Sequence, residues 1–109
     1  MTEVHVNRIW FEFIREGKKT IEGRLNKGKF KDMKIGDIIS FVNDANKVKV
    51  QIINKTKYNT FKEYLVMEGL KNTLPNIKTI KDGLDVYYSY YTKNQEREHK
   101  IVAIEIKIV

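Results

Sequence analysis

The chain has no cysteine. That excludes disulfide staples, thiolate metal sites and a thiol nucleophile, and makes a reducing cytoplasm the expected compartment. Proline is nearly as scarce, with Pro75 alone, and six glycines leave few positions for tight turns. No apolar run approaches the roughly 20 residues needed to span a bilayer, and the N-terminus lacks the charged and apolar regions of a signal peptide. Neither a membrane nor the secretory route is expected. Histidine is limited to His5 and His99, at opposite ends and without ligand-spaced partners, so no metal site and no cofactor are expected.

Acidic residues are in deficit. Fourteen Asp and Glu face 21 Lys and Arg, for a net charge of +7. Such a balance suits an anionic partner, RNA or a nucleotide. Lysine supplies 17 of the 21 basic residues, a composition also common on solvated surfaces, so charge alone does not decide. With 109 residues, 41% hydrophobic and 32% charged, the chain can bury one core and offset its ordering entropy. A single domain over residues 1–109 is expected, and it should fold alone.

The densest chemistry lies in Gly17-Lys18-Lys19-Thr20-Ile21-Glu22-Gly23-Arg24-Leu25. Glycine ends a helix there and the following residues alternate, which puts Thr20, Glu22 and Arg24 on one side of a strand and Ile21, Gly23 and Leu25 on the other. The preceding helix spans about Arg8 to Glu16, with Asn7 placed as its cap and Ile9, Trp10, Phe13 and Ile14 sharing an apolar face that reads as core. Asn26 to Lys34 reads as a basic loop. Lys34-Ile35-Gly36-Asp37 then turns into a strand from Ile38 to Val42, and Val48, Val50 and Ile52 alternate with Lys47, Lys49 and Gln51 to complete a hairpin.

Thr60 and Glu63 open a helix that Gly69 closes, with Phe61, Tyr64, Leu65 and then Glu68 along its inward stripe. Thr79 and Asp82 open another helix from about Ile80 to Tyr91, whose inward stripe is Ile80, Leu84, Tyr87, Tyr88 and Tyr91. Val102, Ile104, Ile106 and Ile108 alternate with Ala103, Glu105 and Lys107 in a closing strand. This order describes an α+β fold, a small curved sheet or partly open barrel flanked by about three helices.

The run Gly17-x-Lys19-x-x-Glu22-x-Arg24, followed by Gly36-Asp37-x-Ile39-x-Phe41, resembles the signature of the ASCH domain, a relative of the small RNA-binding PUA barrels. The likeness extends over nearly the whole chain and is to the small archaeal-type, single-domain ASCH proteins. It implies a pseudo-barrel with a cleft between barrel and helices, lined by the strand that carries Lys19, Glu22 and Arg24. Relatives of this kind include amidohydrolases that deacetylate N4-acetylcytidine, a ribonuclease and RNA-binding proteins. In the amidohydrolases a lysine, a threonine and a glutamate are catalytic. The lysine corresponds to Lys19 and the glutamate to Glu68, whereas Glu22 stands where the threonine would be.

That departure matters chemically. A carboxylate beside Lys19 favours its ammonium form, whereas an amide hydrolase working through Lys19 needs the free amine as a base. Thr20 offers a substitute hydroxyl, and a water activated by Glu22 or Glu68 is a further route. The leading expectation is therefore a module that binds RNA or a nucleotide in a basic cleft. Lys19, Thr20, Glu22 and Arg24 are its expected polar floor, Glu68 faces them, and Tyr58, Tyr87, Tyr88, Tyr90 and Tyr91 offer stacking faces. The alternatives are an enzyme using Lys19, Glu22 and Glu68 on a modified nucleoside, a ribonuclease, and a protein-interaction domain whose charges are solvated.

Overall fold

The computed structural model describes all 109 residues. Five strands form one curled sheet: β1 (Glu3–His5), β2 (Ile21–Leu25), β3 (Ile38–Asn43), β4 (Asn46–Tyr58) and β5 (Ile101–Ile108). Their order is β1-β3-β4-β5-β2, with β1 parallel to β3 and every other pair antiparallel. The sheet is a half-barrel whose two free edges are β1 and β2.

Six helices accompany it: α1 (Arg8–Arg15), α2 (Gly28–Asp32), α3 (Phe61–Glu68), α4 (Leu70–Thr73), α5 (Ile80–Tyr88) and α6 (Lys93–His99). Two hydrophobic clusters result. One fills the concave side, around Phe41, Val50, Ile52, Val102, Ile104 and Ile106. The other sandwiches Ile21, Leu25, Ile101 and Ala103 of the opposite side against Phe61, Tyr64 and Leu65 of α3 and Tyr87 of α5.

Alternation explains the hairpin and β5, since opposite residues of antiparallel strands project to the same face. A bulge at Ile53 interrupts this. Ile52 pairs with Ile106 and Asn54 with Glu105, so the strand's parity flips and Lys55 and Lys57 lie opposite Ile104 and Val102, on the concave side. Lys55 uses that position to donate to the carbonyls of Lys31 (2.8 Å) and Met33 (2.6 Å), fastening α2 over the barrel end.

Several sequence expectations are corrected. The 26–34 loop contains α2, and β4 runs six residues past Ile52. The helix from Ile80 stops at Tyr88; Tyr90 and Tyr91 lie in the turn that closes it, their N–H groups donating to the Tyr87 carbonyl, and α6 follows. Thr92 and Gln95 form a full capping box for α6, while the carboxylate of its buried Glu96 accepts from the Phe61 N–H at 2.8 Å and from the Tyr88 hydroxyl at 2.9 Å. In α1 the buried pair is Phe11 and Ile14, Ile9 is 46% exposed, and Trp10 is partly buried, packed against the second cluster while also lining a cleft. An eight-residue helix buries only one narrow edge, and here that edge is set by its packing against β3.

Candidate functional site: a charged cleft at the seam of the sheet

The cleft occupies about 260 Å³ where the two free sheet edges face each other. His5, Val6, Asn7 and Trp10 form one wall, Val86, Tyr87, Tyr90 and Tyr91 the other, and Lys19, Glu22, Gly23 and Arg24 the floor. β2 supplies the floor because Glu22 pairs with Ile104 and Arg24 with Val102, which turns both charged side chains to the concave side. An interior strand would bury them among Ile104 and Ile106; an edge strand lets them look into the seam.

Lys19 is 2% exposed and Glu22 6%. The Lys19 ammonium donates to the carbonyls of Ile21 (2.7 Å) and Thr73 (2.6 Å) and lies 3.2 Å from Glu22 Oε1. These three acceptors account for all three of its protons. Glu22 Oε2 accepts from Arg24 Nε at 3.1 Å and pairs with Nη2 at 3.0 Å. Arg24 Nη2 also donates to the His5 carbonyl at 3.1 Å, so one guanidinium ties the β2 edge to the β1 edge. Its carbon lies 4.8 Å from the centre of the Phe30 ring, a cation–π contact with α2. Across the cleft, burial raises the Tyr91 pKa, and the guanidinium opposes that larger push by its charge and by a side-chain hydrogen bond.

Burial and charge pull the triad in opposite senses. Burial lowers the Lys19 pKa, with Glu22 opposing the shift and Arg24 adding to it, and the net direction is down. For Glu22 burial pushes the pKa up, but the charges of Lys19 and Arg24 outweigh it and hold the carboxyl below its ordinary value. Arg24, disfavoured by burial, is held cationic by Glu22 and raised. With all three ionised the floor carries one net positive charge between aromatic walls, where a low dielectric strengthens its field.

The aromatic wall is built as a stack. Phe61 lies 4.6 Å from Tyr87 and 5.5 Å from Tyr91 between ring centres, both at 15° between planes. The Tyr87 hydroxyl is within 2.9 Å of that of buried Tyr64, and burial drives the pKa values of Tyr64 and Tyr87 far upward. Across the mouth, the Asn7 amide donates to the Tyr90 hydroxyl at 2.5 Å.

Of the expected site residues, Lys19, Glu22 and Arg24 come together and line the cleft, as do Tyr87, Tyr90 and Tyr91. Thr20 is half-buried and does not line it. Its backbone is committed instead, donating to the Asn72 carbonyl and accepting from the Ile106 N–H. Tyr58 and Glu68 are placed elsewhere. Tyr58 pairs with Ile101 on the sheet face that packs against α3, and its hydroxyl bonds the Glu68 carboxylate there. That pair, and burial above all, raises the Tyr58 pKa to about 12. Glu68 does not line the cleft, and its carboxylate takes the Tyr58 hydroxyl as partner in place of Lys19 or Arg24. Tyr88 is taken up by Glu96. Trp10, His5 and Asn7 were not expected in the site, and only the proximity of the two sheet edges, a long-range feature, reveals them. No three His, Asp or Glu side chains converge as a metal-binding group.

The sequence profile of the ASCH domain matches residues 4–109. The chain belongs to the ASCH family. Two solved structures are similar to this ASCH protein over nearly its full length. The crystal structure of hypothetical protein PH0355 has 39% identity and a TM-score of 0.91, with 98% of this chain and 97% of that one covered. The solution NMR structure of protein PF0455 from Pyrococcus furiosus has 39% identity and a TM-score of 0.83, covering 99% and 96%. No curated protein matches the sequence. The ASCH family is RNA-binding-like in general, and the curled half-barrel with its helices is the ASCH and PUA-like fold.

Proposed function

We propose that this ASCH protein binds RNA or a single nucleotide by inserting a base into the seam cleft. The supporting observation is the combination of a net-positive Lys19–Glu22–Arg24 floor with walls of Trp10, Tyr87, Tyr90 and Tyr91. A flat base fits between aromatic walls, and a guanidinium donates to a phosphate or to the acceptor edge of a base. A volume near 260 Å³ lies just under the range of drug-sized pockets, roughly 300 Å³ and above, which suits one nucleoside unit. Trp10 is the sole tryptophan, so its fluorescence reports on the cleft alone. Titration with cytidine 5′-monophosphate should quench Trp10 emission in a saturable way, and Arg24→Ala should weaken binding about tenfold or more. Emission that stays flat for nucleotides and for short single-stranded RNA contradicts the proposal.

A second reading, hydrolysis of the N-acyl group of a modified nucleoside such as N4-acetylcytidine, is favoured by one observation, the downward shift of buried Lys19. A free amine there would take the proton of an attacking water, and acetate and cytidine would leave. The committed geometry counts against it. A neutral amine has two protons for three acceptors, and its lone pair would face the Glu22 carboxylate. Incubation with N4-acetylcytidine decides: release of acetate that is lost in Lys19→Ala supports hydrolysis, and no release above that control removes it.

A further inference from the structure

Resting on the reading of the cleft as a base-binding site, we infer that the adjoining end of the sheet, at Lys27, Lys57 and Lys100, is a track for the phosphates that flank the bound nucleotide in single-stranded RNA. β2 ends at Leu25, β5 begins at Ile101, and β4 ends at Tyr58; Ile101 pairs with both Leu25 and Tyr58. Lys100, Lys57 and Lys27 therefore gather at one end of three adjacent strands, which together span roughly 10 Å. Arg24 lies at the same end. It and Lys57 flank Val102 on the concave face, so positive charge continues from the cleft floor across the sheet.

None of the three lysines is used by the fold. All are exposed, none has a carboxylate within ion-pair distance, and none makes a side-chain hydrogen bond. They contrast with Lys19 and Lys55, whose ammonium groups are consumed by backbone carbonyls. The bulge at Ile53 is what delivers Lys57 to this side, beside Lys55, whose pKa is lowered by burial and then by the charge of Lys57.

Lys100 adds an independent observation. Its backbone has φ 63° and ψ −174°, a region that glycine occupies and that costs other residues strain. The position is structurally fixed, since the Lys100 N–H donates to the Glu96 carbonyl and its own carbonyl accepts from the Asn26 N–H. Glycine would satisfy both bonds without strain, so a lysine there trades stability for a charge at the end of the sheet.

The test compares a mononucleotide with a single-stranded RNA of about eight nucleotides, a length within the usual footprint of such binders. The triple variant K27Q/K57Q/K100Q should bind cytidine 5′-monophosphate as the parent does, by Trp10 quenching. It should bind the labelled RNA about tenfold or more weakly by anisotropy, and its slope of log affinity against log salt should be shallower by about 2, at roughly 0.7 for each phosphate no longer neutralised. Lys100→Gly alone should raise the melting temperature by several degrees while weakening RNA binding. Unchanged RNA affinity and salt slope in the triple variant overturn the track even if the mononucleotide binds. Loss of mononucleotide binding in the parent protein, with RNA binding still lysine-dependent, defeats the base-binding reading and leaves the track standing.

Discussion

Glu22 is the residue on which the floor of the cleft depends. It alone pairs with buried Lys19 and with partly buried Arg24, and its replacement by a neutral isostere leaves both cations without a counter-charge. Breaking such a buried network by removing one partner typically costs about 3 kcal/mol or more. Glu22→Gln should therefore lower unfolding free energy by about 3 kcal/mol in urea at neutral pH. The pH dependence follows from the direction of its shift. The folded pKa lies below the ordinary 4.5, so the stabilisation is fully present above that value and is lost as pH falls through the lowered one. The gap between parent and variant should narrow in acid, and a gap constant from neutral to acidic pH would contradict the ion-pair account. The strand alternation made Glu22 and Arg24 legible in the sequence as one polar face. The i, i+3, i+7 stripe told that Glu68 turns inward, yet not which partner it meets there. Its inward partner is a tyrosine hydroxyl.

At the scale of elements, β2 is seated by the absence of a side chain. A Cβ on Gly23 would come within 2.6 Å of Tyr64 Cε2 and Oη, and Tyr64 is wholly buried with its hydroxyl held by Tyr87. Gly23→Ala must push α3 off the strand or force Tyr64 from its place, an overpacking cost of about 1–3 kcal/mol. Thermal unfolding should show the loss, and Gly23→Ala/Tyr64→Phe should recover part of it by freeing the ring from its hydroxyl partner; full stability in Gly23→Ala would show that β2 and α3 are not so closely seated. This glycine reads in sequence simply as the apolar-side member of an alternating strand. The hairpin of β3 and β4, β5, α1 and α3 were all legible because hydrophobic period and caps agree in them. β1 has three residues, too few for a period, and α6 has one buried residue, a glutamate, so no apolar stripe marks it. Its Thr92–Gln95 capping box was the available signal. The bulge at Ile53 has no local signature either, and it is what carries Lys55 and Lys57 across the sheet.

For the molecule as a whole, the half-barrel leaves a seam, and the seam is where polar groups can be both buried and reachable. Arg24 of one sheet edge grips the His5 carbonyl of the other, while the chain between α5 and α6 brings Tyr90 and Tyr91 over the gap. A net charge of +7 adds long-range attraction for an anionic ligand, which salt should screen. The family and the α+β half-barrel were readable from motif order, because Lys19, Glu22, Arg24 and Gly36-Asp37 are local. Of the aromatic walls the tyrosines were readable and Trp10 was not, because Trp10 and Tyr91 are far apart in sequence and come to one cleft only when the sheet curls. The measurement that tests this account most directly is a 15N-resolved NMR titration of the protein with cytidine 5′-monophosphate. The account predicts that the largest shifts fall on the Trp10 indole N–H and on the amides of Gly23, Arg24, Tyr87 and Tyr91. Shifts gathered instead around Tyr58 and Glu68, outside the cleft, with the Trp10 indole unmoved, would contradict it.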